Sequence, residues 1–195
     1  DDLDLLVGNN VHWSKEIEKP QVFMLDGKTR GYLGPTDFSG STPVLYINEY
    51  PDKFRSVSLN DWSREDDQSY KLPGKALGLQ LIDVNQDGYL DVFVANDKAR
   101  NFMLMNRSGL GFDEKAEVLG LAYDNLGQPT GAMGVDITWF DETVNLAIGN
   151  FSGEMSTIYR QIQNGGFHDV ASLVGIGASS RDKVTFGVVF DDFDL

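Results

Sequence analysis

The chain repeats itself, and this limits the folds open to it more than any other feature. Segments beginning GLQLIDVNQDGYLDVFVAN at Gly78, GVDITWFDETVNLAIGN at Gly134 and GVVFDDFDL at Gly187 start 56 and then 53 residues apart. The later part of each unit recurs as well. NFMLMN (Asn101 to Asn106) corresponds to STIYRQ (Ser156 to Gln161) and to PVLYIN (Pro43 to Asn48), and a phenylalanine follows each, at Phe112, Phe167 and Phe54. GFDEKAEVLGL and GFHDVASLVGI are two copies of one segment, and DLDLLVGN (Asp2 to Asn9) aligns with YLDVFVAN (Tyr89 to Asn96). Self-similarity at a fixed period marks a repeat architecture. The expected organisation is a single segment of about three units, near 1–73, 74–130 and 131–183, with the start of a further unit at 184–195. It opens just inside one acidic loop and ends just inside another, as a piece of a longer repeat protein would. The first unit is lengthened by an insertion from Val11 to Thr42, which reads as a long decorated loop.

Each unit reads as β-structure. LDVFVA and VNLAIG are short, apolar on both faces, and bounded by glycine and asparagine. Such runs mark strands buried between two sheets. Short strands, glycine-rich turns and this period fit four-stranded antiparallel blades of a β-propeller. The expected fold class is therefore all-β, with about three blades of a longer propeller. Helical signals are weak, and the strongest, Asp113 to Leu119, is expected as strand and turn. Three blades leave two open apolar faces, which more of the same chain or a neighbouring subunit must cover.

Composition narrows the function. With 195 residues, 41% of them hydrophobic, the chain has enough apolar side chains for a real core. Its formal net charge of −14 disfavours nucleic acid as a partner and suits cation binding or solubility. The absence of cysteine excludes disulfides, thiol catalysis and zinc–thiolate sites. No apolar run reaches the roughly 18 residues of a membrane-spanning helix, and no stretch reads as a signal peptide.

The stretch DVNQDGYLD, Asp83 to Asp91, carries the chemistry. Asp83, Asn85, Asp87 and Asp91 stand at positions 1, 3, 5 and 9, and Tyr89 at position 7 adds a backbone carbonyl. Their oxygens can converge on one hard cation. Ca²⁺ takes about six to eight oxygens and tolerates irregular geometry, whereas Mg²⁺ demands a stricter octahedron. Gly88 permits the sharp turn round the ion. The start of the loop matches an EF-hand, but position 12 is Val94 rather than Glu, and a strand rather than a helix follows. The alternative is a polar turn that holds no metal.

These units resemble FG-GAP/VCBS repeats, the calcium-loop blades also found in integrin α-subunit propellers. GYLGPTDFSGSTPVLYIN, MGVDITWFDETVNLAIGNFSGEMSTIYR and FGVVFDDFDL are closer in flavour to bacterial proteins of the cartilage-acidic-protein type, which often carry an ASPIC/UnbV segment. The resemblance covers nearly the whole chain and specifies fold better than function. It implies Ca²⁺ at Asp83, Asn85, Asp87, Tyr89 and Asp91. The Gly134 unit departs from the pattern: it is two residues shorter between Gly and the strand-end Asn and keeps only Asp141, Glu142 and Asn145, so no standard calcium site is expected there. Asp192 and Asp194 match positions 1 and 3 of a further loop, and Asp4 matches position 9 of a preceding one. Those partial sites need residues beyond the ones present.

Other candidates are plainer. His12 and His168, the only histidines, sit in no catalytic motif. No G-x-S-x-G elbow occurs, and Ser179–Ser180 reads as a turn. Glu65–Asp66 is expected in a solvated loop, and Trp62 and Trp139 in the core or at a blade edge. Asn106-Arg-Ser and Asn150-Phe-Ser are glycosylation sequons, meaningful only in a eukaryotic secretory pathway. The reading this favours is a non-catalytic, calcium-binding module outside the cytoplasm, whether extracellular, on the cell surface or periplasmic, with a protein or carbohydrate ligand. Two alternatives stand beside it. One is part of a propeller-type polysaccharide lyase, which would need a base and a cation or Arg cluster in one groove. The other is a subunit of a larger surface assembly.

Overall fold

A computed structural model describes residues 2–19, 22–51, 53–59 and 72–194. Trp62 and the Glu65–Asp66 pair lie outside the described residues.

Among the described residues the architecture is all-β: three antiparallel sheets in chain order, each a simple meander. The first holds β1 (Leu5–Val7), β2 (Val44–Glu49) and β3 (Lys53–Ser58). The second holds β4 (Ala76–Ile82), β5 (Asp91–Asn96), β6 (Phe102–Asn106) and β7 (Phe112–Glu114). The third holds β8 (Ala132–Phe140), β9 (Thr143–Asn150), β10 (Thr157–Gln161) and β11 (Phe167–Asp169). The PVLYIN, NFMLMN and STIYRQ runs fall largely on β2, β6 and β10, each the last strand but one of its sheet among the described residues. Among the described residues the first sheet has three strands rather than four. The Asp113–Leu119 segment divides, with its first two residues ending β7 and Ala116–Leu119 forming a single helical turn. The insertion carries one more helical turn, Lys15–Glu18, a 3₁₀ turn at Pro35–Asp37, and isolated bridges joining Val11 to Gly40 and Met24 to Arg30.

Alternation along β5 explains how the sheets stack. Side chains on a strand point to opposite faces in turn. Phe93 and Ala95 enter one core with Val135, Leu146, Ile148 and Tyr159 of the third sheet. Val92 and Val94 enter another with Leu45 and Leu6 of the first. All of β5 is buried, as its two-faced apolar sequence requires. Each large side chain taken out of water there contributes roughly 1.5–3 kcal/mol. A third, smaller core joins Ala147, Ile158 and Ala171 to Val188 and Phe190 of the C-terminal segment.

Close approach between sheets is set by glycines at one repeated position. A Cβ added at Gly78 on β4 would come to 2.6 Å from the carbonyl oxygen of Met133 on β8. A Cβ at Gly134 on β8 would collide with the carbonyl of Phe186. The polar neighbour two residues on repeats too. Gln80 donates to the Val135 carbonyl (3.1 Å) and to Asp136 (3.3 Å), and Asp136 in turn accepts from the Phe190 N–H (2.6 Å). The third sheet therefore meets the C-terminal segment much as the second meets the third. Among the described residues, no helix is long and apolar enough to cross a membrane.

Candidate metal centre

The acidic loop spans residues 83–90, between β4 and β5. Its carboxylates fold the backbone round themselves. Asp83 accepts from the N–H of Asp87 (3.0 Å) and of Gly88 (2.8 Å). Asn85 accepts from Asp87 N–H (3.2 Å) and donates its amide to the Asp87 carboxylate (2.9 Å). Asp87 accepts from Tyr89 N–H (2.9 Å). The chain turns through left-handed backbone at Gln86 (φ 58°) and Gly88 (φ 88°). A run of oxygen-bearing residues at alternate positions thus closes a loop by side-chain to backbone bonds, where a strand would have used ladder bonds.

Asp91 is the anchor. It begins β5, has no exposed surface, and accepts from the N–H of Val84 (3.0 Å) and of Asn106 (2.7 Å). Burial pushes its carboxyl above the usual carboxylate range; the two N–H bonds pull it down, and the charges of Asp87 and Asp83 push it up again. A buried carboxylate that feels two neighbouring carboxylates is a place where a cation lowers the energy of all three. The donor set is oxygen only, which is the chemistry of a hard divalent ion. The residues present therefore fit Ca²⁺. Asp83, Asn85, Asp87 and Asp91, with the Tyr89 carbonyl, would hold it, and it would neutralise the loop. Among the described residues, no three carboxylate or imidazole side chains are already gathered as a metal cluster. The oxygens of Asp83 and Asp87 are turned to the loop's own N–H groups.

The sequence alignment of Asp4 with Asp91 has a counterpart in contacts. Asp4 accepts from Asn48 N–H (2.8 Å), and the Asn48 amide donates to the Leu3 carbonyl (3.2 Å). At Asp91 the same pair of bonds runs from Asn106 N–H (2.7 Å) and from the Asn106 amide to the Leu90 carbonyl (3.0 Å). Asp4, however, is exposed. In the third sheet the matching residue is Asn145, neutral and buried, which accepts from the Arg160 guanidinium (3.1 Å). The turn before it is only Asp141–Glu142, both with positive φ (50° and 58°). Asp192 and Asp194 are exposed, and among the described residues they bond locally, through Asp192 N–H to Asp191 (2.9 Å) and Asp194 N–H to Asp192 (3.4 Å).

Both histidines are exposed, and neither imidazole has a hydrogen-bond partner among the described residues. Asn150 is 1% exposed, which closes its sequon to modification, and its amide donates to the Met155 carbonyl (2.7 Å). The sequence reading missed Gln161. Its amide donates to the Val84 carbonyl (3.4 Å) and its oxygen accepts from Val144 N–H (3.3 Å), tying the acidic loop to the third sheet. No motif marks such a residue, because its partners lie in two different repeats. No protein-family model matches this sequence, and no curated protein is similar enough to it to count as a relative.

Proposed function

We propose that the chain is a run of blades from a calcium-binding β-propeller of the FG-GAP/VCBS kind, a non-catalytic module that works outside the cytoplasm as a scaffold for a protein or glycan ligand. The observation that carries the reading is the buried Asp91 carboxylate, placed in the field of Asp83 and Asp87 at the root of an oxygen-lined loop. Supporting the propeller are the two successive four-stranded meanders and the close glycine contacts made by their first strands, Gly78 of β4 against β8 and Gly134 of β8 against the C-terminal segment. The calcium is structural: it neutralises the loop and fixes one rim of the second sheet. Calcium is abundant outside cells, where sites with Kd of about 10⁻⁴–10⁻³ M suffice.

The test is thermal unfolding of this chain in calcium and in excess EGTA, beside Asp87→Ala. An ion that binds only the folded chain adds about 2.7 kcal/mol at a hundredfold excess over Kd, or roughly 5–10 °C for a chain of this size. The parent is expected to show that rise and Asp87→Ala to lose most of it. A cooperatively folded parent that melts identically in both buffers would reduce DVNQDGYLD to a polar turn.

A further inference from the structure

The rim that bears the acidic loop also bears a groove of about 920 Å³. One wall is the loop itself, through Asn85 and Gln86. The other walls are the β8–β9 turn with Asp141 and Glu142, and the β10–β11 turn with Gln163 and Asn164. Gln161 lies between the walls and hydrogen-bonds both sheets. Trp139 enters from β8. Val135, Ile137 and Trp139 share one face of that strand. The first two pack into the core between the second and third sheets, whereas Trp139, beyond its end, is 37% exposed and lines the groove.

The lining chooses among ligands. A volume in this range suits a small ligand or part of a longer one. Among the described residues no Lys, Arg or His lines it, and Asp141 and Glu142 do, so acidic sugars, phosphates and nucleic acids are repelled. An apolar ligand would strip water from the amides and carboxylates without replacing its hydrogen bonds. A neutral sugar does replace them. Its hydroxyls both donate and accept, as amides do, and its C–H face suits an indole that has one apolar surface and one polar edge. The side-chain amides of Gln86 and Gln163 have no partner among the described residues, and Asn164 uses only its oxygen, accepting from Gly166 N–H (3.1 Å).

We propose that this groove binds a neutral oligosaccharide, with Trp139 as the platform under a sugar ring and the amides of Gln86, Gln163 and Asn164 reading its hydroxyls. The inference deepens the scaffold reading and rests on it in one respect: because Asn85 and Gln86 belong to the acidic loop, calcium stiffens one wall and strengthens binding.

A glycan array carrying neutral and acidic oligosaccharides, probed with this chain in calcium, selects the probe. Titration calorimetry then follows the strongest neutral oligosaccharide in calcium and in EGTA. Trp139→Ala is expected to weaken it about tenfold, in line with loss of an aromatic stacking contact, and Gln163→Ala, at an exposed turn that no fold depends on, about threefold. Silence of the array towards neutral glycans overturns the proposal. So does affinity unchanged in both variants, or a preference for acidic glycans. Trilysine is titrated in parallel; if it binds and the sugars do not, the groove is a site for basic peptide. Melting curves on the same samples separate the two readings. Sugar binding with no calcium shift sinks the metal loop and keeps the groove, and a calcium shift with no sugar binding does the reverse.

Discussion

The β4–β5 connection and the β8–β9 connection each join the first two strands of a four-stranded sheet, yet the first has eight residues and the second two. In the longer one, backbone N–H groups are satisfied by Asp83, Asn85 and Asp87, and a charged residue, Asp91, is buried at the root. In the shorter one the strands pair right up to the turn, Phe140 opposite Thr143, and the buried residue is the neutral Asn145. A buried carboxylate is tolerated only with partners to offset its charge. Two residues cannot supply those partners, and eight can. The shared scaffold thus fixes where the rim is, while loop length decides whether the rim is electrostatic.

The sharpest way to break this comparison is Asp91→Ala. It leaves the N–H groups of Val84 and Asn106 without an acceptor next to the core. Each such loss costs about 1–3 kcal/mol, so the expected total is about 3 kcal/mol in urea unfolding. Asn145→Ala removes the acceptor of one Arg160 guanidinium bond and the amide that donates to the Phe140 and Thr143 carbonyls. Arg160 and Phe140 are exposed and water can replace those bonds, so it is expected to lose about half as much. Equal losses would mean that the Asp91 carboxylate has no special part in holding its loop.

Next in size is Gly78→Ala. The added methyl would meet the Met133 carbonyl at 2.6 Å and Val135 Cγ1 at 2.8 Å, so the second and third sheets must move apart. Overpacking of this kind costs about 1–3 kcal/mol. Gly134→Ala, at the equivalent position, faces Phe186 in the C-terminal segment rather than a strand of a complete sheet. If repeats are equivalent only when both neighbours are whole sheets, Gly134→Ala is the milder change. Equal costs would show the C-terminal segment to be as firmly held as β8.

Much of this comparison was legible in the sequence. Strand order follows from local patterns, since each sheet is a meander whose strands pair with their neighbours in the chain. The missing residues in the Gly134 unit announced a different rim. What stayed hidden depends on stacking. Trp139 looked like a core or edge residue, because the Val135–Ile137–Trp139 face cannot be seen to run out of the core until a second sheet ends beside it. Gln161 stands in no motif, and its partners Val84 and Val144 are 77 and 17 residues away in the chain. The single helical turn at Ala116–Leu119 arises where Gly120, in left-handed backbone, ends it at once, a length too short for periodicity to register.

A smaller effect sharpens the comparison from the side of the turn. Asp141 and Glu142 both hold left-handed backbone, as a two-residue hairpin turn demands; Asp is a favoured first residue there, but Glu142 stands where Gly is preferred. Glu142→Gly is expected to stabilise the chain by about 0.5–1 kcal/mol, and Gly88→Ala, in the longer loop, to destabilise it by about 1 kcal/mol. Loss of stability in Glu142→Gly would show that the carboxylate makes contacts worth more than the backbone strain.

The smallest effect lies at the opposite end of the same strands, where the second repeat has Asp97 and the third has Phe151. Their N–H groups make matching bonds, to the Lys75 carbonyl (2.8 Å) and the Gly131 carbonyl (3.1 Å). Burial raises the Asp97 carboxyl above its usual range; the facing charges of Lys98 and Lys75 lower it, and Glu154, which pairs with Lys98, raises it. A carboxyl with a raised value binds its proton more tightly folded than unfolded. Native stability therefore falls as pH climbs from the ordinary carboxylate range through the raised value, and is flat above it. Asp97→Asn removes that loss, so its melting temperature is expected to exceed the parent's slightly at pH 7. The difference should shrink as the pH is lowered through the parent's raised value and vanish below the ordinary carboxylate range. Melting both proteins between pH 3 and pH 7 decides it. A variant less stable than the parent at pH 7 would mean that Lys75 and Lys98 outweigh burial.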